Sequence, residues 1–287
     1  MTPLPDRLAL SVIIPAFNEG RRISRCLDDV IAHLARRGLA AEVLVVDDGS
    51  TDDTGVVVEA FAKAHPAVRL IRMDHNRGKG AAVRTGIRHA GGSLVLFADA
   101  DGATPFQELD RLMTPIREGA EIAIGSRALA SRDHRFTVNA RWHRSLLGTL
   151  FNLTVRLLGP RGLADTQCGF KLFRGSVARD LFAVSRIDGY GFDLEILYVA
   201  QARGYRIAEV PIHWTDQPGS KVRVLPDGAR MLGDLLAVRR RHAAGLYAFA
   251  PDLTRPGTGD PLRLGTGDPL HPHEQRVPSG SALGTRQ

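Results

Sequence analysis

The chain has 287 residues, of which 44% are hydrophobic, and a formal net charge of +7. That is enough apolar material for one large globular core, but no uninterrupted apolar run reaches the roughly 18 residues of a membrane span. Its 2 cysteines, Cys26 and Cys168, have neither metal-finger nor disulfide-framework spacing, which excludes a disulfide scaffold and fits a reducing cytosol.

A sequence pI of about 10.0 favours an anionic partner, either nucleic acid or a membrane surface. Nucleic acid is disfavoured, because aromatics are only 6% of the chain and are not interleaved with the basic residues, and no recognition motif occurs. The N-terminus lacks the charged and apolar regions of a secretion signal.

In chain order, Ser11–Pro15 is a β-branched run that predicts a first strand, followed by a helix from about Glu19 to Arg37 with Ile23, Leu27, Val30, Ile31 and Leu34 at helical spacing. Glu42–Asp47 predicts a second buried strand ending in D-D-G-S-T-D-D-T. Ser50 or Thr51 can cap the next helix, which carries Val56, Val57, Ala60 and Phe61. Val68–Arg72 is a third strand. The glycine-broken loop N-R-G-K-G after it opens helix 79–90 and can turn backbone N–H groups towards an anion, with Lys79 or Arg77 adding charge.

The stretch that organises the rest is Leu94–Thr104, L-V-L-F-A-D-A-D-G-A-T. A continuous apolar run reads as a central strand, and ligands of open α/β sheets bind beyond the carboxyl ends of such strands, where Asp99 and Asp101 lie. Two hard oxygen donors there can hold one divalent cation that completes its shell with water and substrate phosphates. Read as turn formers, the same residues make only a polar corner. Helix 105–118 and a fifth strand, Glu121–Ser126, follow. This alternation argues a doubly wound, mostly parallel α/β sheet with helices on both faces.

Beyond Arg132 the chain is basic. Ser145–Leu158 is an apolar helix bracketed by arginines, too short to span a membrane, and suited either to the core or to the headgroup plane. Asp165–Phe173 reads as a polar loop entering a strand, and Gly189–Arg203 as a helix with Asp193 and Glu195 in its first turn, where a helix dipole favours acids. Ile207–Trp214 is a last strand, and helix 226–248 carries Arg239–Arg241. Residues 1–250 are thus read as one domain. Residues 251–287, with G-T-G-D-P-L twice, are a low-complexity tail with too little apolar surface to fold.

Taken in order, S-V-I-I-P-A-F-N-E, V-V-D-D-G-S-T-D-D-T, N-R-G-K-G-A-A-V and F-A-D-A-D-G-A-T resemble family 2 glycosyltransferases of the GT-A fold. In the second half I-G-S-R-A, D-T-Q-C-G-F-K-L-F, F-D-L-E-I-L-Y-V-A-Q, I-A-E-V-P-I-H-W-T and G-S-K resemble the dolichyl-phosphate β-glucosyltransferase branch. The likeness spans roughly residues 10–248.

The resemblance implies an inverting transfer of glucose from UDP-glucose to a polyprenyl phosphate. A GDP-mannose donor, or a soluble acceptor, stands as the alternative. It also implies that Pro15, Ala16, Phe17 and Glu19 line the nucleotide site and that Asp47 or Asp48 holds the base or ribose. Asp99 and Asp101, with Ala100 between them, would hold Mg²⁺ or Mn²⁺ on the diphosphate, and Gln167, Gly169 and Lys171 would border the sugar. Ser220 and Lys221 would belong to a loop closing over phosphate, and Asp193 would occupy the place where related enzymes with hydroxyl acceptors keep a base, here either as a catalytic group or only to orient Lys or Arg groups around the acceptor phosphate. Lys79, Arg127 and Lys221 are candidates to neutralise phosphate charge that the metal leaves uncovered, and Arg127, Ser220 and Lys221 to meet the acceptor phosphate. Eukaryotic members carry an N-terminal membrane anchor and none is visible here, so the expected location is cytoplasmic, peripheral on the inner face of an anionic membrane.

Overall fold

The structure, a computed structural model, describes residues 9–139, 159–217 and 224–248. Seven strands form one sheet in the order β3-β2-β1-β4-β7-β5-β8. They are β1 (Leu10–Ala16), β2 (Ala41–Asp47), β3 (Val68–Arg72), β4 (Leu94–Ala98), β5 (Ile122–Ser126), β7 (Phe170–Arg174) and β8 (Ile207–Pro211). The short β6 (Val138–Asn139) pairs in parallel with β9 (Trp214–Thr215) outside that sheet.

Because successive strand residues point to opposite faces, the two faces build separate cores. Val12 and Ile14 pack with helices α1 (Ile23–Arg37), α2 (Thr54–Ala64) and α4 (Leu109–Arg117) through Leu27, Val58 and Leu109. Ile13, Val95 and Phe97 face α3 (Lys79–His89), α6 (Gly175–Val184) and α7 (Phe192–Ala202) through Val83, Leu181 and Ile196. A short α5 (Arg127–Ala130) follows β5, and α8 (Val224–Ala243) packs on α7. The doubly wound sheet expected from the strand and helix alternation is present.

A reversed strand shapes the edge of the sheet where ligands of such folds bind. β7 runs antiparallel between β4 and β5, with Ala98 opposite Phe170. The polar loop that precedes it therefore arrives at the carboxyl edge of β4, and the Asp99 N–H donates to Gly169 O at 3.1 Å.

Several boundaries differ from the sequence reading. α1 starts at Ile23 rather than Glu19, because Asn18 has φ +52° and the Glu19 and Gly20 N–H groups donate to Thr54 Oγ1 and Asp52 Oδ2. These bonds strap the β1–α1 turn to the β2–α2 turn. Asp52, not Ser50 or Thr51, accepts the Thr54 N–H at the start of α2, at 3.0 Å, while Ser50 Oγ accepts from Asn18 N. Helix 105–118 begins as a 3₁₀ turn, Phe106–Glu108, and the last helix ends at Ala243. The last strand stops at Pro211, which lacks a ladder donor and lies on the sheet edge, and Trp214–Thr215 leaves to pair with Val138–Asn139. Helix α6 was not anticipated. Helix 145–158, the loop containing Ser220 and Lys221, and residues 251–287 lie outside the described residues. No described helix is long and apolar enough to cross a membrane.

Candidate active site

A cleft of about 730 Å³ opens along the carboxyl edge of β1 and β4. Its floor is Pro15–Phe17 and Asp99–Asp101, each placed there because an apolar strand ends at that point. One wall is the loop Arg186–Tyr190, and another is the inner face of α8, including Asp227, Met231 and Asp234.

The acid pair is crowded. Burial, and then the neighbouring Asp99 charge, push the Asp101 carboxyl above its ordinary range, against the opposing pull of the Ala103 N–H, Arg22 and Lys79. Asp101 Oδ1 accepts the Ala103 N–H at 3.0 Å, and Asp99 lies against Gly169, where an added Cβ would fall 1.9 Å from Asp99 Oδ2. Only glycine fits beneath that carboxylate.

Lys79, the first residue of α3, places its Nζ 2.6 Å from Asp99 Oδ1 and 5.1 Å from the Phe97 ring centroid. Burial by itself would depress its pKa; the charges of Asp99 and Asp193 outweigh that and raise it. Two backbone N–H groups of its loop are engaged within the protein rather than left open to an anion. The Arg77 and Gly78 N–H groups both donate to the Asp48 carboxylate at 2.8 Å, and Asn76 Nδ2 donates to it at 3.1 Å. Gly78, at φ +110°, is needed because a Cβ would meet Asp188 O at 2.5 Å. Asp48 thus lines the cleft while building its rim. Burial raises its pKa against those two backbone donors. Asp47 does not line the cleft: it is buried and accepts the Ser50 N–H.

Three further acids are structural partners. Lys171 and Asp193 form a buried ion pair at 2.6 Å beneath the floor, and neither lines the cleft. Arg127 is held by Asp165 through its Nε at 2.7 Å and Nη2 at 2.8 Å, and its guanidinium lies 5.3 Å from the Trp214 ring centroid. Glu195, fully buried, accepts the Arg186 and Ile187 N–H groups at 2.8 Å and also the Tyr247 hydroxyl. It ties the loop wall of the cleft to the chain just beyond α8.

Of the residues singled out in the sequence, Pro15, Ala16, Phe17, Glu19, Asp48, Lys79, Asp99, Ala100 and Asp101 meet at this cleft. Asp47, Arg127, Gln167, Gly169, Lys171 and Asp193 do not line it, although Gly169 and Lys171 support it from below. Sequence reasoning missed Arg22, Tyr190 and Asp234, which line the cleft. Arg22 is paired with Glu19 and lies in the field of both Asp101 and Asp99. Only a charge placed one helical turn after Glu19 hinted at it.

An open sheet with a reversed strand, an acid pair at the end of β4 and a lysine beside it define the GT-A class of glycosyltransferase. Residues 11–182 match the model of glycosyl transferase family 2, and the chain belongs to that family. Within it, the chain is 39% identical to dolichyl-phosphate beta-glucosyltransferase of Drosophila melanogaster, across 85% of this chain and 78% of that protein. It is 36% identical to the Homo sapiens protein of the same name, across 83% and 77%. Among solved structures it resembles glucosyl-3-phosphoglycerate synthase from Mycobacterium tuberculosis in complex with Mn²⁺, UDP-glucose and phosphoglyceric acid, with TM-score 0.60 at 20% identity over 85% of this chain and 81% of that one. Mannosyl-3-phosphoglycerate synthase from Rubrobacter xylanophilus matches with TM-score 0.60 at 23% identity, over 87% and 78%. These structural likenesses establish the fold.

Proposed function

We propose that this chain moves glucose from UDP-glucose onto a polyprenyl phosphate of the dolichyl type, with inversion and with a divalent cation on the donor diphosphate. The observation that carries the reading is the Asp99–Asp101 pair on the cleft floor, in a chain whose relatives are named for transfer to dolichyl phosphate.

The donor set suits Mg²⁺ or Mn²⁺. Asp99 and Asp101 are two hard carboxylates that crowd each other, and no group of three or more Asp, Glu, His or Cys that could hold a metal ion occurs among the described residues. A cation held by so few protein oxygens keeps room for substrate phosphate. When bound, it would supply positive charge to the departing diphosphate.

In a single displacement the anomeric C–O bond to the nucleotide diphosphate breaks as a phosphate oxygen of the acceptor forms the new bond, which turns an α-linked donor into a β-linked product. The second pKa of a phosphate monoester is about 6, so the attacking oxygen is already largely ionised at neutral pH. A strong general base is therefore unnecessary, which accords with an Asp193 sequestered by Lys171. Lys79 and Arg22 flank the acids and supply positive charge where the leaving diphosphate develops its own.

We place the protein at an anionic membrane surface on the cytoplasmic side. On α8 and the turn after it, Leu236 is 48% and Leu246 65% exposed, beside exposed Arg239 and Arg240. The test of donor and acceptor is turnover of radiolabelled UDP-glucose and GDP-mannose with polyprenyl phosphate in detergent. Label entering the organic phase from UDP-glucose supports the reading; transfer from GDP-mannose alone overturns it.

A further inference from the structure

We infer that Lys79 is a counterion shared between Asp99 and the donor diphosphate, so that it weakens metal binding in the empty cleft and couples metal affinity to nucleotide binding. The inference rests on the metal-assisted reading of the Asp99–Asp101 pair.

Lys79 Nζ lies 2.6 Å from Asp99 Oδ1, one of the oxygens that a cation on this pair would use. An ammonium and a divalent cation on one carboxylate repel each other, so a metal entering the empty cleft must displace Lys79 or bind beside it. The acid beneath the floor whose charge Lys79 already feels, Asp193, is held by Lys171 at 2.6 Å and so is poorly placed to receive the displaced ammonium.

A diphosphate in the same cleft changes this. Lys79 lines the cleft, and it opens a helix at a glycine-bounded turn with its ammonium over the Phe97 ring, so a short pivot takes it from carboxylate to phosphate. The nucleotide then removes the competitor from Asp99 while adding its own oxygens to the metal. By linkage each ligand strengthens the other by the same factor, typically about 5- to 150-fold. A lysine that only bound phosphate would leave nucleotide-free metal affinity unchanged, and the shared counterion would not.

The experiment titrates Mn²⁺ alone into the full-length protein, following the electron paramagnetic resonance signal of free Mn²⁺, and repeats the titration with saturating UDP. Lys79→Met keeps the stem on Phe97 and removes the charge, with Lys79→Gln making the same comparison if the Met variant does not fold. Without UDP these variants should bind Mn²⁺ at least about fivefold tighter than wild type, and the enhancement by UDP should shrink by at least as much. Lys79→Arg should behave as wild type. So should Arg88→Met, which removes an exposed charge from the last turn of the same helix, outside the cleft lining. Unchanged nucleotide-free affinity in Lys79→Met, or an equal gain in Arg88→Met, overturns the inference. Failure of wild type to take Mn²⁺ even with UDP would instead overturn the metal-assisted reading itself, and this inference with it.

Discussion

Lys171 Nζ lies 2.6 Å from Asp193 Oδ1 in a pair whose side chains are only 1% and 5% exposed. Lys171 stands on β7 and Asp193 in the first turn of α7, so the pair locks the reversed strand to the helix directly under the cleft floor. The same lysine also donates to Cys168 O, next to the Gly169 that supports Asp99.

Breaking one side of a buried pair leaves an uncompensated charge, which costs about 3–5 kcal/mol. Lys171→Met should therefore destabilise the protein by that amount at neutral pH. The penalty should shrink in acid. Burial already raises the Asp193 pKa against the pull of Lys171 and Lys79, and loss of Lys171 raises it further. A carboxyl with a raised folded pKa binds its proton more readily folded than unfolded, so stability rises as pH falls through that raised pKa towards the ordinary unfolded value. Melting curves at pH 8 and pH 5.5 check this, and a larger penalty at pH 5.5 would refute it.

Gly169→Ala puts a methyl group where Asp99 Oδ2 now lies. Overpacking of this kind costs about 1–3 kcal/mol, and the displaced carboxylate should cost activity beyond what the lost stability explains. Turnover measured well below the melting temperature separates the two effects. Wild-type turnover in a stably folded variant would show that the Asp99 position is not critical.

The C-terminal boundary of the working unit should fall between Ala248 and Pro251. Arg203 donates to Tyr247 O at 3.0 Å and to Ala248 O at 3.1 Å, and the Tyr247 hydroxyl donates to Glu195. Truncation after Pro251 should leave activity and melting unchanged. Truncation after Ala244 should lower the melting temperature by several degrees, because it removes those bonds and loosens the loop that Glu195 holds. Equal melting of the two truncations would contradict this.

Much of the fold was legible because strands of a buried parallel sheet read as unbroken apolar runs, as in Val43–Val46 and Leu94–Ala98. Pairing was not legible. Nothing local in F-K-L-F-R shows that β7 enters the sheet reversed between β4 and β5, since its partners lie far away in the chain. Helix α6 has Val177, Ala178, Leu181 and Phe182 at helical spacing, a signal overshadowed by the polar loop and strand just before it. At the site, Asp99 and Asp101 announced themselves by their place at a strand end. Asp193 and Glu195 looked like dipole-satisfying acids, and their true partners, Lys171 and Tyr247, are contacts that only folding brings together.

Membrane attachment should be reversible and salt-sensitive, because basic residues near an anionic leaflet contribute about 1 kcal/mol each and are screened. The protein should co-sediment with phosphatidylglycerol vesicles at low salt and be released at high salt. Replacing Leu236 and Leu246 with Glu should weaken binding, since both are exposed beside Arg239 and Arg240. Equal binding to neutral vesicles at either salt concentration would contradict an electrostatic anchor.

Whether the Asp99–Asp101 pair holds the cation that drives glucosyl transfer is tested most directly by transfer of label from UDP-glucose to polyprenyl phosphate, run with and without excess EDTA. Wild-type transfer should stop with EDTA and return with Mg²⁺ or Mn²⁺, and Asp101→Asn should lower it by about 10²–10³ with the fold intact by circular dichroism. Undiminished transfer in excess EDTA, or wild-type turnover by Asp101→Asn, would contradict a metal-driven transfer at this pair.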